Sequence, residues 1–257
     1  MPAPSENPEV VTVDQKCRLC GEPFSVPKID FPFAGAMSKI QSALRTCPKC
    51  EAEEIKRVGA EARARTEAER RQIELQRGEA ARALWLEICP PLYQATDPAR
   101  LPQRALAEVL AWHYGPEGLL LRGATGTGKT RAAFLLLNRL VLEERRGVRA
   151  FDGLGFEHEC VRRFRGGTGE DWADELAEVD LVFLDDLGKG CFTPRAEAEL
   201  CSLIERRAAN NLPIIATTNM TGADLAAKAT DDRGPPMVRR LREFCRCVVF
   251  EVNPDLS

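Results

Sequence analysis

The sequence predicts an α/β fold built on a mostly parallel five-stranded sheet, preceded by a small cysteine-containing module and a helical connector. Two observations predict the sheet. Short apolar runs of the kind found in buried parallel strands recur along residues 85–257, and several end in glycine or polar side chains. A third observation, a change in composition, predicts the organisation. Residues 51–84 are nearly half charged and lack proline, and they separate a module at 1–50 from a domain at 85–257.

Composition and charge exclude several classes of protein. The 257 residues carry a formal net charge of −3, which excludes a uniformly basic nucleic-acid coat. The longest purely apolar run, Ala132–Leu137, is far shorter than the ~20 residues of a membrane-spanning helix. The first ten residues lack the basic start and apolar stretch of a signal peptide, so we expect a short disordered lead and a cytoplasmic protein with no membrane partner.

Four cysteines predict a zinc site in the N-terminal module. Cys17 and Cys20 form one CxxC pair, and Cys47 and Cys50 form a second pair after 26 intervening residues. A tight turn lets each pair direct two thiolates at one ion, and Zn²⁺ prefers such a tetrahedral sulfur set. Because thiolates fill all four positions, the Zn²⁺ is expected to be structural. The alternative is four ordinary buried or free cysteines.

The connector at residues 51–84 is predicted to be helical because alanine, glutamate and arginine dominate it. Gly59 and Gly78 each cost about 1 kcal/mol relative to alanine and could interrupt the helix. The apolar pattern is too scattered for a long coiled coil. Two interpretations remain, a solvated helical spacer and a helix that docks on a partner.

A glycine-rich loop between a predicted strand and a predicted helix indicates phosphate binding. The segment from Gly118 to Thr130 fits GxxxxGK[ST] and lies between an apolar run and a segment with one broad apolar helical face. The glycines would let backbone N–H groups surround phosphate oxygens, Lys129 would reach the β- and γ-phosphates, and the Thr130 hydroxyl would bind Mg²⁺. The predicted loop residues are Gly123, Ala124, Thr125, Gly126, Thr127, Gly128, Lys129 and Thr130.

Two further apolar runs end in polar side chains that suit this chemistry. Leu181–Leu184 is followed by Asp185 and Asp186, and the run before Thr217 leads to Asn219. Ligands of open α/β sheets bind at the carboxyl ends of the strands. We therefore expect Asp185 to hold Mg²⁺, Asp186 to polarise the attacking water, and Asn219 to contact the γ-phosphate or that water. The alternatives are a helix-capping aspartate and ordinary turn residues.

An arginine cluster before the last predicted strand suggests an arginine finger. Arg239, Arg240 and Arg242 lie in a predicted helix of this nucleotide-binding domain. Arginine near a nucleotide stabilises the charge that develops on the transferring phosphoryl group. Arg240 is the preferred candidate and Arg239 the second, whereas the alternative is a solvated surface cluster.

In this order, the segments GATGTGKT, LVFLDDLGKG, PIIATTNM and PMVRRLREFCRCVVF resemble AAA+ ATPases of the DnaC/DnaI helicase-loader and IstB group. The resemblance covers about residues 85–257. It implies ATP as the nucleotide, no lid domain after the last strand, and an Arg240 finger that acts on a neighbouring subunit. Asp186 stands where many AAA+ proteins have glutamate and is one methylene shorter, so the expected ATPase is slow.

The resemblance also suggests a DNA contact in the region of residues 154–174. Helicase loaders carry a helical element here that resembles one lining a single-strand path. Arg162, Arg163 and Arg165 flank Phe164, a combination suited to backbone contact and base stacking. The alternative is an amphipathic helix with a solvated basic face.

Three functions follow as hypotheses. The first is a helicase loader that binds a replicative hexameric helicase and single-stranded DNA and is released by DNA-stimulated ATP hydrolysis. The second is an IstB-like transposition helper, which would bind duplex DNA and a transposase. The third is an assembly switch that binds ATP with little turnover. The two CxxC pairs favour the first, because some helicase loaders begin with a zinc-binding partner domain.

Overall fold

The computed structural model describes residues 12–27, 45–189, 193–230 and 232–251. The predicted disordered lead lies outside these residues. The chain forms two compact units, Met1–Glu74 and Leu75–Ser257, and each is considered by itself. In the described ranges, no helix combines the length and the apolar composition that crossing a bilayer requires.

The first unit contains a two-stranded antiparallel hairpin and the start of a long helix. Strands β1 (Thr12–Lys16) and β2 (Pro23–Pro27) pair in register from Thr12 opposite Pro27 to Lys16 opposite Pro23. The first CxxC pair occupies the turn between them, and Gly21 takes the positive φ of 75° that this turn requires. The helix α1 (Pro48–Ile88) begins inside the second pair, so Cys50 lies in its first turn.

The connector is one uninterrupted helix, because α1 continues through both Gly59 and Gly78. Good helix formers surround each glycine, and exposed i,i+3 and i,i+4 pairs such as Arg57 with Glu54 and Glu61 add support. Almost all its side chains up to Gly78 are exposed, and Ala81 is its buried residue. Its first part therefore has the character of a solvated helix.

The second unit alternates helices and strands. After α1 come α2 (Pro91–Gln94), a 3₁₀ turn (Pro98–Arg100), α3 (Gln103–Leu110), β3 (Gly118–Gly123), α4 (Lys129–Leu142), β4 (Val148–Asp152), α5 (Gly153–Arg165), α6 (Gly169–Glu178), β5 (Leu181–Asp185), α7 (Pro194–Ala209), β6 (Ile214–Thr218), α8 (Gly222–Lys228), α9 (Gly234–Phe244) and β7 (Cys245–Phe250).

Five strands form one parallel sheet in the order β4-β5-β6-β3-β7, which confirms the predicted fold class. The glycine-rich loop leaves β3 and the aspartate pair leaves β5, and β6 lies between these two strands. The carboxyl ends of parallel strands share one edge. The end of β6 therefore stands between the phosphate loop and the aspartates.

The sheet is covered on both faces, as parallel sheets usually are. Alternate residues along the strands supply two cores. One core packs α3 and α4 against strand residues that include Leu119, Leu121, Leu181, Phe183 and Ile215. The other packs α5, α6, α7 and α9 against Val182, Leu184, Ile214 and Ala216. This sandwich gives the loops at the carboxyl edge a rigid base. The expected absence of a lid domain stays an expectation.

Candidate nucleotide site and cysteine cluster

The four predicted cysteine ligands come together in the first unit. The Sγ atoms of Cys17, Cys20, Cys47 and Cys50 all lie within 4.8 Å of one another. The Cys20 and Cys47 sulfurs are 3.8 Å apart. A tetrahedral site with Zn–S bonds of about 2.3 Å has sulfurs about 3.8 Å apart, so this separation fits zinc.

Backbone amides stabilise the thiolate form of Cys17. The N–H groups of Leu19 and Cys47 donate to the Cys17 sulfur at 3.4 and 3.3 Å. Hydrogen bonds from the backbone of Cys47, Cys20 and Leu19 lower the pKa of the Cys17 thiol to about 6. Since the thiolate is the form that binds metal, the donor set and its surroundings fit a structural zinc ion.

The glycine-rich loop has the backbone that the motif predicts. Gly126 and Gly128 adopt φ values of 85° and 91°, a region that glycine enters without strain. A Cβ at Gly128 would also lie 2.6 Å from Cδ2 of Leu101, so a larger residue would both strain the backbone and displace that side chain. Gly128 is the N-cap of α4, whose first turn contains no acidic residue. The positive end of the helix dipole is therefore available to an anion.

Lys129 is held inside the loop. Its side chain is 5% exposed, and Nζ donates to the carbonyl oxygens of Gly123 and Ala124 at 2.9 and 2.8 Å. Burial lowers the pKa of Lys129, while the nearby Asp186 and Asp185 raise it. The ammonium group lies where phosphate oxygens would meet it.

The Asp185 carboxylate accepts hydrogen bonds from two hydroxyl groups, one of them in the first turn after the loop. Oδ1 accepts from Thr130 Oγ1 at 2.8 Å and from Thr217 Oγ1 at 2.6 Å. Burial raises the pKa of Asp185, the two hydroxyl groups lower it, and the charge of Asp186 raises it. The Thr130 hydroxyl and the Asp185 carboxylate offer the hard oxygen donors that Mg²⁺ prefers, so these two residues fit the predicted metal site.

Asp186 borders the cavity above the loop. Its φ of 53° lies in the left-handed region, which costs on the order of 1 kcal/mol for a residue other than glycine. Its N–H donates to Thr217 Oγ1 at 2.8 Å, and its Oδ2 accepts from Lys189 Nζ at 3.1 Å. The turn is therefore fixed by hydrogen bonds, and the carboxylate is ion-paired in this state.

Asn219 meets the phosphate loop directly. Its Nδ2 donates to Thr125 Oγ1 at 3.3 Å, across 94 residues of sequence. Asn219 follows β6, so the sheet order brings it between Thr125 and the aspartates. The structure thus brings together the predicted loop residues, Asp185, Asp186 and Asn219.

A cavity of about 670 Å³ opens over the loop. This volume lies in the ordinary range for small-molecule sites, about 300–1,000 Å³. Its walls are loop residues 125–131, Asp186, Glu251 and side chains from the segment between Leu92 and Pro102. Tyr93 in that segment stacks on Phe134 with ring centroids 4.9 Å apart. The segment before β3 therefore forms one wall of the cavity.

The arginine candidates lie on α9 in ion pairs. Arg240 contacts Glu205 of α7 through Nε and Nη2 and Glu243 through Nη1 at 3.1 Å. The Glu205 carboxylate raises the pKa of Arg240. Arg239 is 70% exposed and pairs with Glu243 at 3.8 Å. The finger role of either residue stays a prediction.

The predicted DNA-contact arginines end α5. Arg162 and Arg163 both donate to Glu159 of the same helix, at 2.5 and 2.7 Å. These hydrogen bonds lower the pKa of Glu159 to about 2, and the one from Arg162 has the largest effect. Arg165 lies in the last turn of the same helix. Arg162 and Arg163 share one face with an acid, and the DNA role of the three arginines stays a prediction.

Phe164, the aromatic residue among these arginines, is partly buried. The Arg195 guanidinium covers its ring at 3.6 Å from the centroid, and the ring lies against Gly169 so closely that a Cβ there would be 2.2 Å from Cδ1. Phe164 also packs on the second core. The ring is therefore partly covered by its own domain, and its stacking role stays a prediction.

Sequence reasoning missed one central residue, Thr217. It is fully buried, and its hydroxyl joins Asp185 to Asp186. The available signal was a hydroxyl-bearing pair, Thr217 and Thr218, at the end of an apolar strand. A buried hydroxyl is costly unless it is hydrogen-bonded, so such a pair indicates partners at the end of the strand.

The fold is similar to solved structures of replication proteins. A DnaC helicase loader aligns with a TM-score of 0.51 and 21% identity over 62% of this chain and 95% of that chain. DnaI aligns with a TM-score of 0.50 and 20% identity over 64% of this chain and 92% of that chain. The replication initiator DnaA bound to AMPPCP and single-stranded DNA aligns with a TM-score of 0.51 and 20% identity, over 64% and 51%. The chain spans about half the length of the DnaA proteins it matches.

No family model and no curated protein sequence matches the chain. The structural likeness shows the fold. The second unit is an α/β domain that carries a P-loop on a parallel five-stranded sheet, as its motifs predicted, and it shares its fold with these solved proteins. The solved proteins similar to it include the DnaC helicase loader, DnaI and the replication initiator DnaA. The first unit adds a four-cysteine cluster.

Proposed function

We propose that this chain is an ATP-dependent loader of a replicative ring helicase. One observation carries the proposal. The P-loop, Asp185, Asp186 and Asn219 converge at a nucleotide-sized cavity, in a domain with the fold of DnaC and DnaI. The four-cysteine cluster supports the choice because it supplies a separate small module that can grip a partner.

Each site residue has a role in the proposed ATPase. Lys129 leaves the carbonyl groups of the loop and binds the β- and γ-phosphates, and Thr130 and Asp185 hold Mg²⁺. Bound Mg²⁺ neutralises charge on the phosphates. Asp186 orients and polarises the attacking water, and Asn219 contacts the γ-phosphate. Arg240 of a neighbouring subunit completes the site, so ATP binding favours self-association.

The proposed cycle couples this site to two macromolecules in the cytoplasm. The zinc module binds a hexameric helicase, and the ATPase domain binds single-stranded DNA, as the DnaA of similar fold does in its solved complex. Hydrolysis then weakens subunit contacts and releases the loader. DNA stimulates the otherwise slow turnover.

Native mass spectrometry tests the proposal. The full chain is mixed with the replicative helicase of the same cell, with and without Mg²⁺-ATP. A complex that depends on the intact cysteine cluster is expected, and Cys20→Ser/Cys50→Ser weakens it while Cys247→Ser, an exposed cysteine on β7, does not. If the two intact proteins form no complex, the loader function is wrong, and duplex DNA with a transposase becomes the next pair to test.

An ATP-binding switch with little turnover is the second candidate, favoured by the Asp186–Lys189 ion pair. A carboxylate held by Lys189 is a weaker acceptor for the proton of the attacking water. Turnover is compared for wild type, Lys189→Ala and Asp186→Asn, with DNA and helicase present. Turnover that vanishes only in Asp186→Asn supports the ATPase. No turnover in any of the three, with ATP bound in all, supports the switch.

A further inference from the structure

Thr217 lies at the meeting point of the two carboxylates to which the proposed function gives different roles. Its side chain is 0% exposed, within a strand whose five residues are all buried. It follows Ala216, which pairs with Leu184 of β5, so it faces the residue at which β5 ends. A valine would fill this volume and suit the strand, but the hydroxyl adds two hydrogen bonds.

The direction of both hydrogen bonds is fixed by chemistry. A backbone N–H can only donate and an ionised carboxylate can only accept. The single hydroxyl proton of Thr217 therefore goes to Asp185 Oδ1 at 2.6 Å, and the oxygen accepts the N–H of Asp186 at 2.8 Å. One hydroxyl thus fixes the side chain of the first aspartate and the backbone of the second.

The backbone of the same threonine extends this restraint. The N–H of Leu187 donates to the carbonyl oxygen of Thr217 at 2.7 Å. Residues 186 and 187 are both tied to Thr217, which explains how Asp186 keeps its left-handed φ of 53°. Two residues further on, Asn219 contacts Thr125 of the phosphate loop. The end of β6 therefore bridges the loop and the aspartate turn.

We propose that Thr217 is a positioning residue that fixes Asp185 and Asp186 relative to each other. It would keep the metal-holding carboxylate and the water-polarising carboxylate at the spacing that a bound Mg²⁺-nucleotide requires. The inference rests on the proposed nucleotide site and is independent of the helicase. Groups that orient metal ligands in this way typically contribute about 10- to 100-fold to metal affinity or activity.

Three variants separate positioning from packing. Thr217→Val keeps the shape and removes the hydroxyl, whereas Thr217→Ser keeps the hydroxyl and removes the methyl group. Thr218→Val is the matched control, because the Thr218 hydroxyl is also buried in β6 but bonds the carbonyl of Leu187 and the N–H of Met220. Thermal unfolding of each variant shows that it is folded.

The first readout is the Mg²⁺ factor, the affinity for AMPPCP in excess Mg²⁺ divided by the affinity in EDTA. The second readout is kcat at saturating Mg²⁺-ATP. In Thr217→Val, both are expected to fall about tenfold or more, with metal-free AMPPCP affinity within about twofold of wild type. Thr217→Ser restores both to within about threefold, and Thr218→Val leaves both within about twofold.

Three outcomes overturn the inference. In the first, Thr217→Val leaves the Mg²⁺ factor and kcat unchanged. In the second, Thr217→Ser is as defective as Thr217→Val. In the third, the control Thr218→Val is as defective as the Thr217 variants. If wild type binds AMPPCP with Mg²⁺ but hydrolyses no ATP, the proposed turnover is wrong and the Mg²⁺ factor still decides. A failure to bind helicase contradicts the loader function alone, and a failure of wild type to bind AMPPCP overturns both proposals.

Discussion

The ammonium group of Lys129 donates a hydrogen bond to the carbonyl oxygen of Gly123, the last residue of the strand that leads into the phosphate loop. The hydrogen bonds of the Lys129 ammonium group therefore go to carbonyl groups of the loop, which have no formal charge. Phosphate oxygens are stronger partners, because their formal negative charge adds Coulomb attraction to the ammonium group that a neutral carbonyl group lacks. Exchange of partners at Lys129 is the first event that we expect on nucleotide binding.

Lys129→Ala is expected to weaken binding of Mg²⁺-ATP by about 10- to 100-fold, because a hydrogen bond to a charged group contributes about 1.5–3 kcal/mol. Isothermal titration with AMPPCP measures the change. Lys228→Ala, at an exposed position in the last turn of α8, is the control and retains wild-type affinity. Equal affinity in wild type and Lys129→Ala would show that the nucleotide binds elsewhere.

Zinc is expected at about one ion per reduced chain, because four thiolates complete a tetrahedral site. Elemental analysis of the full-length protein measures it. Cys20→Ser/Cys50→Ser should lose the metal, whereas Cys247→Ser, outside the cluster, should keep it. A reduced wild-type protein without zinc would show that the cysteines serve another purpose.

Arg240→Ala is expected to abolish ATP-dependent self-association, which sedimentation velocity detects as the loss of the larger species. Glu205→Gln should promote association, because it frees Arg240 from the acid on α7. Arg239→Ala is the comparison, since Arg239 has one longer ion pair. A defect in Arg239→Ala alone would transfer the finger role to that residue, and normal assembly in both variants would refute it for each.

The α5 arginines are expected to contribute to single-strand affinity. Arg162→Glu/Arg163→Glu should weaken binding of an oligonucleotide and reduce its salt dependence, whereas Glu159→Gln should strengthen it by freeing both arginines. Fluorescence anisotropy at several salt concentrations measures both effects. If neither change alters affinity, α5 is an ordinary helix with a solvated basic face.

Arg207 is expected to be important for stability, because its buried guanidinium donates to the carbonyl oxygens of Leu176, Val179, Asp180 and Pro213. Burial lowers the pKa of Arg207 to about 10. Arg207→Ala should reduce the free energy of unfolding by about 3 kcal/mol or more, since it leaves several buried carbonyl groups unpaired.

Urea unfolding measures that loss, and the neighbouring residue supplies the control. Arg206 forms an ion pair with Asp174 at the surface, so Arg206→Ala should cost less than about 1 kcal/mol. Equal effects of the two substitutions would contradict the role given to Arg207.

The sequence predicted the sheet and most of the nucleotide site because their signals are local. Strands β3, β5 and β6 contain apolar runs. The residues at or just after their ends, such as Gly123, Asp185 and Asn219, lie at the carboxyl edge of the parallel sheet. The glycine-rich loop is also recognised from the fixed spacing of its glycine, lysine and threonine residues. These features need only the order of residues along the chain.

Other features depend on contacts that sequence patterns do not encode. Threonine is common in strands, so the sequence does not distinguish Thr217 from an ordinary strand residue. Its role becomes visible only from the hydrogen-bond partners of its hydroxyl group. Arg207 has the pattern of an exposed base in the last turn of a helix, yet α7 turns it inward. The contact of Arg195 with the Phe164 ring likewise depends on two helices packing together.

The measurement that tests the loader most directly is transfer of the replicative helicase onto circular single-stranded DNA, which offers no free end. We predict that the wild-type chain with ATP raises the amount of helicase on the circle, and that Lys129→Ala does not while Lys228→Ala does. Helicase loading that is the same with and without the wild-type chain would contradict the proposed function, whatever its affinity for ATP.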